Sequence, residues 1–156
     1  MAEVVIHIGT HKTGTTTIQD TFWHNAERLA QHGIAYPQLS RITGHHGLVC
    51  DWVRLPPAFQ LPEGSRARLQ RLARDHVDSD ATLFLSSEEF SRSEPGNAVD
   101  LAELRSFFAG FDRVRVLCVL RTQWEFLQSV YLEVSKVGNP PKPETFVQSA
   151  IETGMV

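Results

Sequence analysis

At 156 residues, 42% of them hydrophobic and 21% charged, the chain has the make-up of one globular domain with a core large enough to fold alone. A formal net charge of −3 excludes a broad nucleic-acid surface, though not a local field that holds one polyanionic ligand. No apolar run has the length of a membrane span or the form of a signal peptide, and Cys50 and Cys118 lack metal-ligand spacing, so a cytoplasmic protein with two reduced thiols is expected.

The first element is a strand over residues 4–8. It opens the sequence VVIHIGTHKTGTTTIQ, in which a glycine, a lysine, a second glycine and three threonines follow the strand in turn. Gly9 and Gly14 allow a tight turn, and a helix is predicted over residues 15–32, with Ile18, Phe22, Ala26, Leu29 and Ala30 on one face and Gly33 closing it. The first amides of a helix have no partners within it, and its dipole places partial positive charge at that end. With Lys12 added, the turn is a cradle for a phosphorylated or sulfated ligand. His7 belongs to the strand and reads as buried structure, whereas His11 sits on the crown of the loop and can touch a donor or substrate.

A short extended piece at 34–37 and a polar loop at 38–44 lead to a predicted helix at 46–54, ended by Pro56 and Pro57. Residues 65–77 form an amphipathic helix whose arginines are a solvated face. A second strand, 81–85, runs into Ser86, Ser87, Glu88 and Glu89. Asp100 and Glu103 resemble a capping box for a helix over 101–109. A third strand, 113–120, is apolar throughout and therefore expected to be buried. It ends at Arg121, and a helical pattern follows in which Ser129 lies eight residues after Arg121. The rigid stretch at 139–143 precedes a last short helix with Phe146, Val147, Ala150 and Ile151 on one face. Strands alternating with helices predict a single α/β domain, a three-layer sandwich with a central parallel sheet. Ligands of such sheets bind at the carboxyl ends of the strands, where Lys12, Glu88 and Arg121 each follow a strand and one crevice can collect all three.

The loop is not a Walker A sequence, because Thr15 stands where the lysine belongs and Lys12 comes two residues before the second glycine. The order G-T-H-K-T-G-T-T resembles the 5′-phosphosulfate loop of the sulfotransferases that use 3′-phosphoadenosine 5′-phosphosulfate (PAPS). The layout of strand, arginine and serine eight residues on resembles the 3′-phosphate motif of the same family, with Thr122-Gln123 in place of its usual Asp-Pro or Asn-Pro. Residues 33–37 (G-I-x-Y-P) and 86–89 (S-S-E-E) are similar to bacterial members. The resemblance implies a P-loop NTPase-like fold and sulfuryl transfer from PAPS to a hydroxyl or amine acceptor, with adenosine 3′,5′-bisphosphate (PAP) as product and no metal. It assigns the donor to Lys12, Thr13, Gly14, Thr15 and Thr16, with His11 and Thr17 beside them, and the 3′-phosphate to Arg121 and Ser129. Thr17 replaces the tryptophan with which cytosolic members hold the adenine. Members of the family extend further at the C-terminus, so the chain is expected to be their N-terminal core.

Sulfuryl transfer needs positive charge at the departing bridging oxygen, an acceptor in line with sulfur, and a base for the acceptor's proton. Lys12 and the amides at Thr15 and Thr16 supply the first. For the base, Glu88 leads, and His45 and His46 are further candidates. The expected partner is a small-molecule, glycan or lipid acceptor, not nucleic acid, and a homo-oligomer is left open. Two other readings stand beside this one: a P-loop kinase or NTPase, disfavoured by the lysine's placement, and a non-catalytic nucleotide-binding remnant.

Overall fold

The computed structural model describes residues 1–153 and divides into two compact units, residues 1–119 and the segment from Leu120 onward. The first unit is built on a four-stranded parallel sheet of order β2-β3-β1-β6, where β1 is Glu3–His7, β2 Ile34–Ala35, β3 Thr82–Ser86 and β6 Arg113–Leu117. Its helices are α1 (Thr15–His24), α2 (Ala26–Gln31), α3 (Ser65–His76) and α4 (Leu101–Phe107). A small antiparallel hairpin, β4 (Ser93–Glu94) with β5 (Asn97–Ala98), had no counterpart in the sequence reading. The second unit is a helical hairpin of α5 (Gln123–Val137) and α6 (Pro143–Glu152).

Side chains alternate between the faces of a strand, and the register of β1 on β3 decides what meets what. Val4 pairs with Leu83 and Ile6 with Leu85, so these four share one face. There they join Leu69, Leu72 and Ala73 of α3 and Leu104 of α4 in one buried cluster. The opposite face carries Val5, His7, Phe84 and Ser86. Phe22 of α1 lies 4.7 Å from Phe84, ring centre to ring centre, and 5.5 Å from Tyr36. Helices thus cover both faces of a parallel sheet, as the strand–helix alternation predicts.

Three elements differ from expectation. The predicted helix at 15–32 is interrupted at Asn25, whose side-chain amide and backbone N–H both donate to the Thr21 carbonyl. The predicted helix at 46–54 shrinks to a 3₁₀ turn, His46–Val49. There, the Ser65 hydroxyl donates to the Gly47 carbonyl at 2.8 Å and accepts the Asp51 N–H at 3.1 Å. It thereby stands in the gap of the bond that would continue an α-helix. The strand at 113–120 stops at Leu117, opposite the last residue of β1, and it is not buried: Val116 is 62% exposed. β6 is an edge strand, and apolar continuity alone does not distinguish an edge from a central position.

Within the second unit, Tyr131 of α5 stacks edge-on against Phe146 of α6 at 5.3 Å, and its hydroxyl donates to the Pro141 carbonyl at 3.0 Å. Pro143 occupies the first turn of α6, where a missing N–H costs nothing.

Candidate functional site

The chain leaves β1 inside the sheet, travels first to β2 and then to β3 on one side, and later crosses to β6 on the other. The carboxyl end of β1 is therefore a switch point, where an open α/β sheet leaves a crevice. Two turns meet there, residues 8–14 after β1 and residues 86–91 after β3.

The first turn holds the loop for which the sequence predicts anion binding. Lys12 has φ 65°, a left-handed conformation unusual for a lysine, and Gly14 follows with φ 83°. Such strain in a non-glycine residue concentrates at functional sites. Gly14 caps α1 and has no side chain with which to bond the helix start. The first helical bonds run from the Thr17 and Ile18 amides to the Gly14 carbonyl, so the Thr15 and Thr16 amides precede them. Thr13 Oγ1 donates to the Thr10 carbonyl at 2.6 Å and ties the crown of the loop. Thr15 is buried, whereas His11, Thr16 and Thr17 are exposed and Lys12 and Thr13 half-buried.

Beneath the loop lies His7, with no exposed surface. Its Nδ1 is 2.8 Å from Ser86 Oγ. Its Nε2 is buried and has no hydrogen-bond partner among the described residues. Burial lowers the imidazole pKa, opposed by the charge of Glu88, and keeps the ring neutral near pH 7.

The second turn begins at Ser87, which caps a 3₁₀ turn, Glu88–Ser91, by accepting the Glu89 amide. Glu88 points its carboxylate at α1: Gln19 Nε2 donates to Glu88 Oε2 at 3.1 Å. His46 Nδ1 lies 3.8 Å from the same oxygen and 2.8 Å from Ser87 Oγ. Burial alone raises the Glu88 pKa, but its own amide, His46, Gln19 and His11 outweigh it, so the group sits below the ordinary carboxylate value. Burial lowers the pKa of His46, against the pull of Glu88 and Glu89. At neutral pH the pair is thus a carboxylate beside a neutral imidazole. Glu89 is buried, accepts Arg92 Nε at 2.6 Å and lies 3.8 Å from His11 Nε2, which links the two turns.

His45 has a different position from its neighbour. Its Nδ1 accepts the Ser86 amide at 2.9 Å, and its Nε2 donates to the Pro37 carbonyl at 2.7 Å. Both ring nitrogens are engaged by backbone, the ring packs on Tyr36, and burial pushes its pKa down to about 4. The ring holds the 37–45 loop to the end of β3 and has no nitrogen left for a substrate. The same loop is fastened to α1 by Thr43, whose hydroxyl donates to Asp20 at 2.6 Å and whose carbonyl accepts the Tyr36 hydroxyl.

The structure therefore brings Lys12, Thr13, Gly14, Thr15, Glu88 and His46 to one end of the sheet in the first unit. Arg121 and Ser129 belong to the second unit, Arg121 just before α5 with Nε 3.7 Å from Glu125 and Ser129 half-buried within α5. Gln19 is a site residue that sequence reasoning missed; its signal is the spacing of four from Thr15, which places both on one face of α1. Among the described residues, no group of three or more His, Cys, Asp or Glu side chains is placed to hold a metal ion. No helix among them is long and apolar enough to cross a membrane. Comparison with protein-family models, with curated proteins and with solved structures finds no match to this chain.

Proposed function

We propose that the chain is a PAPS-dependent sulfotransferase domain of the P-loop-like type, acting on a hydroxyl or amine acceptor. The observation that carries this reading is the β1–α1 turn: a lysine in left-handed conformation, a left-handed glycine, and a ten-residue helix capped by that glycine, which has no side chain to bond the helix start. An anion laid on the Thr15 and Thr16 amides satisfies donors that the fold leaves to a ligand. Lys12 and those amides stabilise negative charge on the bridging oxygen as the sulfur–oxygen bond breaks.

Glu88 is the base in this reading. It is ionised at neutral pH, is partly solvent-accessible, and is held by Gln19 and His46 at the same end of the sheet as the loop. As the acceptor oxygen or nitrogen bonds to sulfur, its proton passes to the Glu88 carboxylate. His46 orients Glu88, and His45 shapes the loop around both. Arg121 and Ser129 are assigned the 3′-phosphate by the resemblance of their spacing. The lysine's place within the loop, not after it, favours this donor over ATP.

Calorimetry with PAP and with ATP–Mg²⁺ tests the proposal. The expected result is binding of the bisphosphate, weakened in Arg121→Ala, with ATP–Mg²⁺ far weaker. A preference for ATP–Mg²⁺ overturns it, and bisphosphate binding without sulfate transfer to any acceptor in a broad screen reduces the chain to a binding module.

A further inference from the structure

We infer that His7 is a positioning residue of the anion loop, whose Nε2 takes the Thr13 hydroxyl as its partner when the loop closes on a ligand. The inference rests on the donor-binding reading above and names what couples occupancy of the loop to the sheet beneath it.

A buried polar nitrogen without a partner is costly, and native structures retain few of them. His7 Nε2 is one. Gly9 gives its direction. A methyl group placed on Gly9 would lie 3.4 Å from His7 Nε2 and 2.9 Å from Thr13 Oγ1, with the Thr15 methyl at 3.0 Å. The two polar atoms thus both lie near one point beside the Gly9 α-carbon, which carries no side chain. Thr13 gives its proton to the Thr10 carbonyl and keeps its lone pairs for a donor. With the Ser86 hydroxyl donating to Nδ1, the Nε2–H is that donor. The completed chain runs from Ser86 Oγ–H to His7 Nδ1, from Nε2–H to Thr13 Oγ1, and from Thr13 O–H to the Thr10 carbonyl. An anion drawn onto the loop amides pulls the loop inward and closes the middle link. His7 itself is sealed from solvent, so it acts through Thr13 and not on the ligand.

Long-range ¹H–¹⁵N correlation spectra of the full chain, with and without PAP, read this link. The expected result is an Nε2 that carries the proton throughout, with a proton that shifts downfield and becomes protected from exchange at saturation. His7→Asn keeps a nitrogen or oxygen facing Ser86 but has no group at Nε2, and weakens bisphosphate binding about tenfold, the value of one hydrogen bond. His7→Gln reaches the Nε2 position and restores most of that loss. Gly9→Ala, at a position without positive φ, is expected to fold with the Thr13 hydroxyl displaced by the added methyl group, and to weaken binding likewise. Saturated binding with an unmoved Nε2, or a folded His7→Asn that binds as tightly as the parent, overturns the inference and leaves the donor reading standing. Absence of any bisphosphate binding overturns the donor reading and this inference with it.

Discussion

Lys12 brings a positive charge to the candidate site at a conformational cost. A left-handed backbone costs a non-glycine residue roughly 1–2 kcal/mol, while glycine adopts it freely at an entropic cost of about 0.5–1 kcal/mol. Lys12→Gly is therefore expected to stabilise the fold by about 0.5–1 kcal/mol in urea titrations and to weaken PAP binding in calorimetry. A variant that loses stability shows that the lysine is not strained, and one that keeps full affinity shows that its charge is not used. At this scale the sequence was informative where residue type and chain order coincide: lysine, glycine and threonine after a strand describe their own loop. It was silent where a role depends on distant neighbours. Nothing in the adjacent pair His45-His46 distinguishes a ring clamped between Pro37 and Ser86 from a ring beside Glu88. Nor does the place of His7 in an apolar strand disclose that one nitrogen meets Ser86 and the other meets none.

Elements follow the same division. Strands β1 and β3 and helices α3 and α4 lie within one or two residues of their sequence-derived limits, because periodicity and capping are local. Asp100 does accept the Glu103 amide at 2.9 Å, but the Glu103 carboxylate turns to Arg66 and Trp52 and does not complete the capping box. The 46–54 segment failed as a helix for a reason lodged at residue 65. Ser65, fully buried at the start of α3, bridges the Gly47 carbonyl and the Asp51 amide. Ser65→Ala leaves both groups without that partner and is expected to cost about 1–3 kcal/mol. Thermal or urea unfolding measures the loss; a change below about 0.5 kcal/mol means that solvent replaces the hydroxyl and the bridge is dispensable.

Across the whole molecule, the buried titratable groups give the stability a direction in pH. Burial holds the His45 pKa at about 4 in the folded chain, against about 6.5 for an ordinary histidine, and it lowers His7 and His46 as well. Between pH 6.5 and 4 the unfolded chain binds the more protons, so stability is complete above about pH 6.5 and falls on acidification. His45 alone accounts for a loss on the order of 3 kcal/mol over that window. Glu88, whose pKa is lowered, adds to the loss as pH falls through the carboxylate range. Urea midpoints between pH 7.5 and 5 test this: they should hold level down to about pH 6.5 and drop below it, and a profile that stays flat or rises to pH 5 shows that these rings are charged in the native state. The parallel order of the sheet and its helix-covered faces were legible in the alternation of strand and helix. The exposure of β6 was not, because a strand's neighbours are a property of the assembled sheet.

His7 and Ser86 are partners in register as well as in hydrogen bonding, the last rungs of β1 on β3. Sliding one strand by a single residue would turn the imidazole into the oily layer occupied by Leu69 and Leu72 and send Ile6 toward α1. The spacing between the start of β1 and its glycine turn therefore tolerates gains or losses only in twos, and each pair added lengthens the strand by nearly seven ångströms, about 3.3 Å for each residue. Insertions and deletions in the outer loops are free of this constraint, whereas this one short stretch must keep its odd-or-even count.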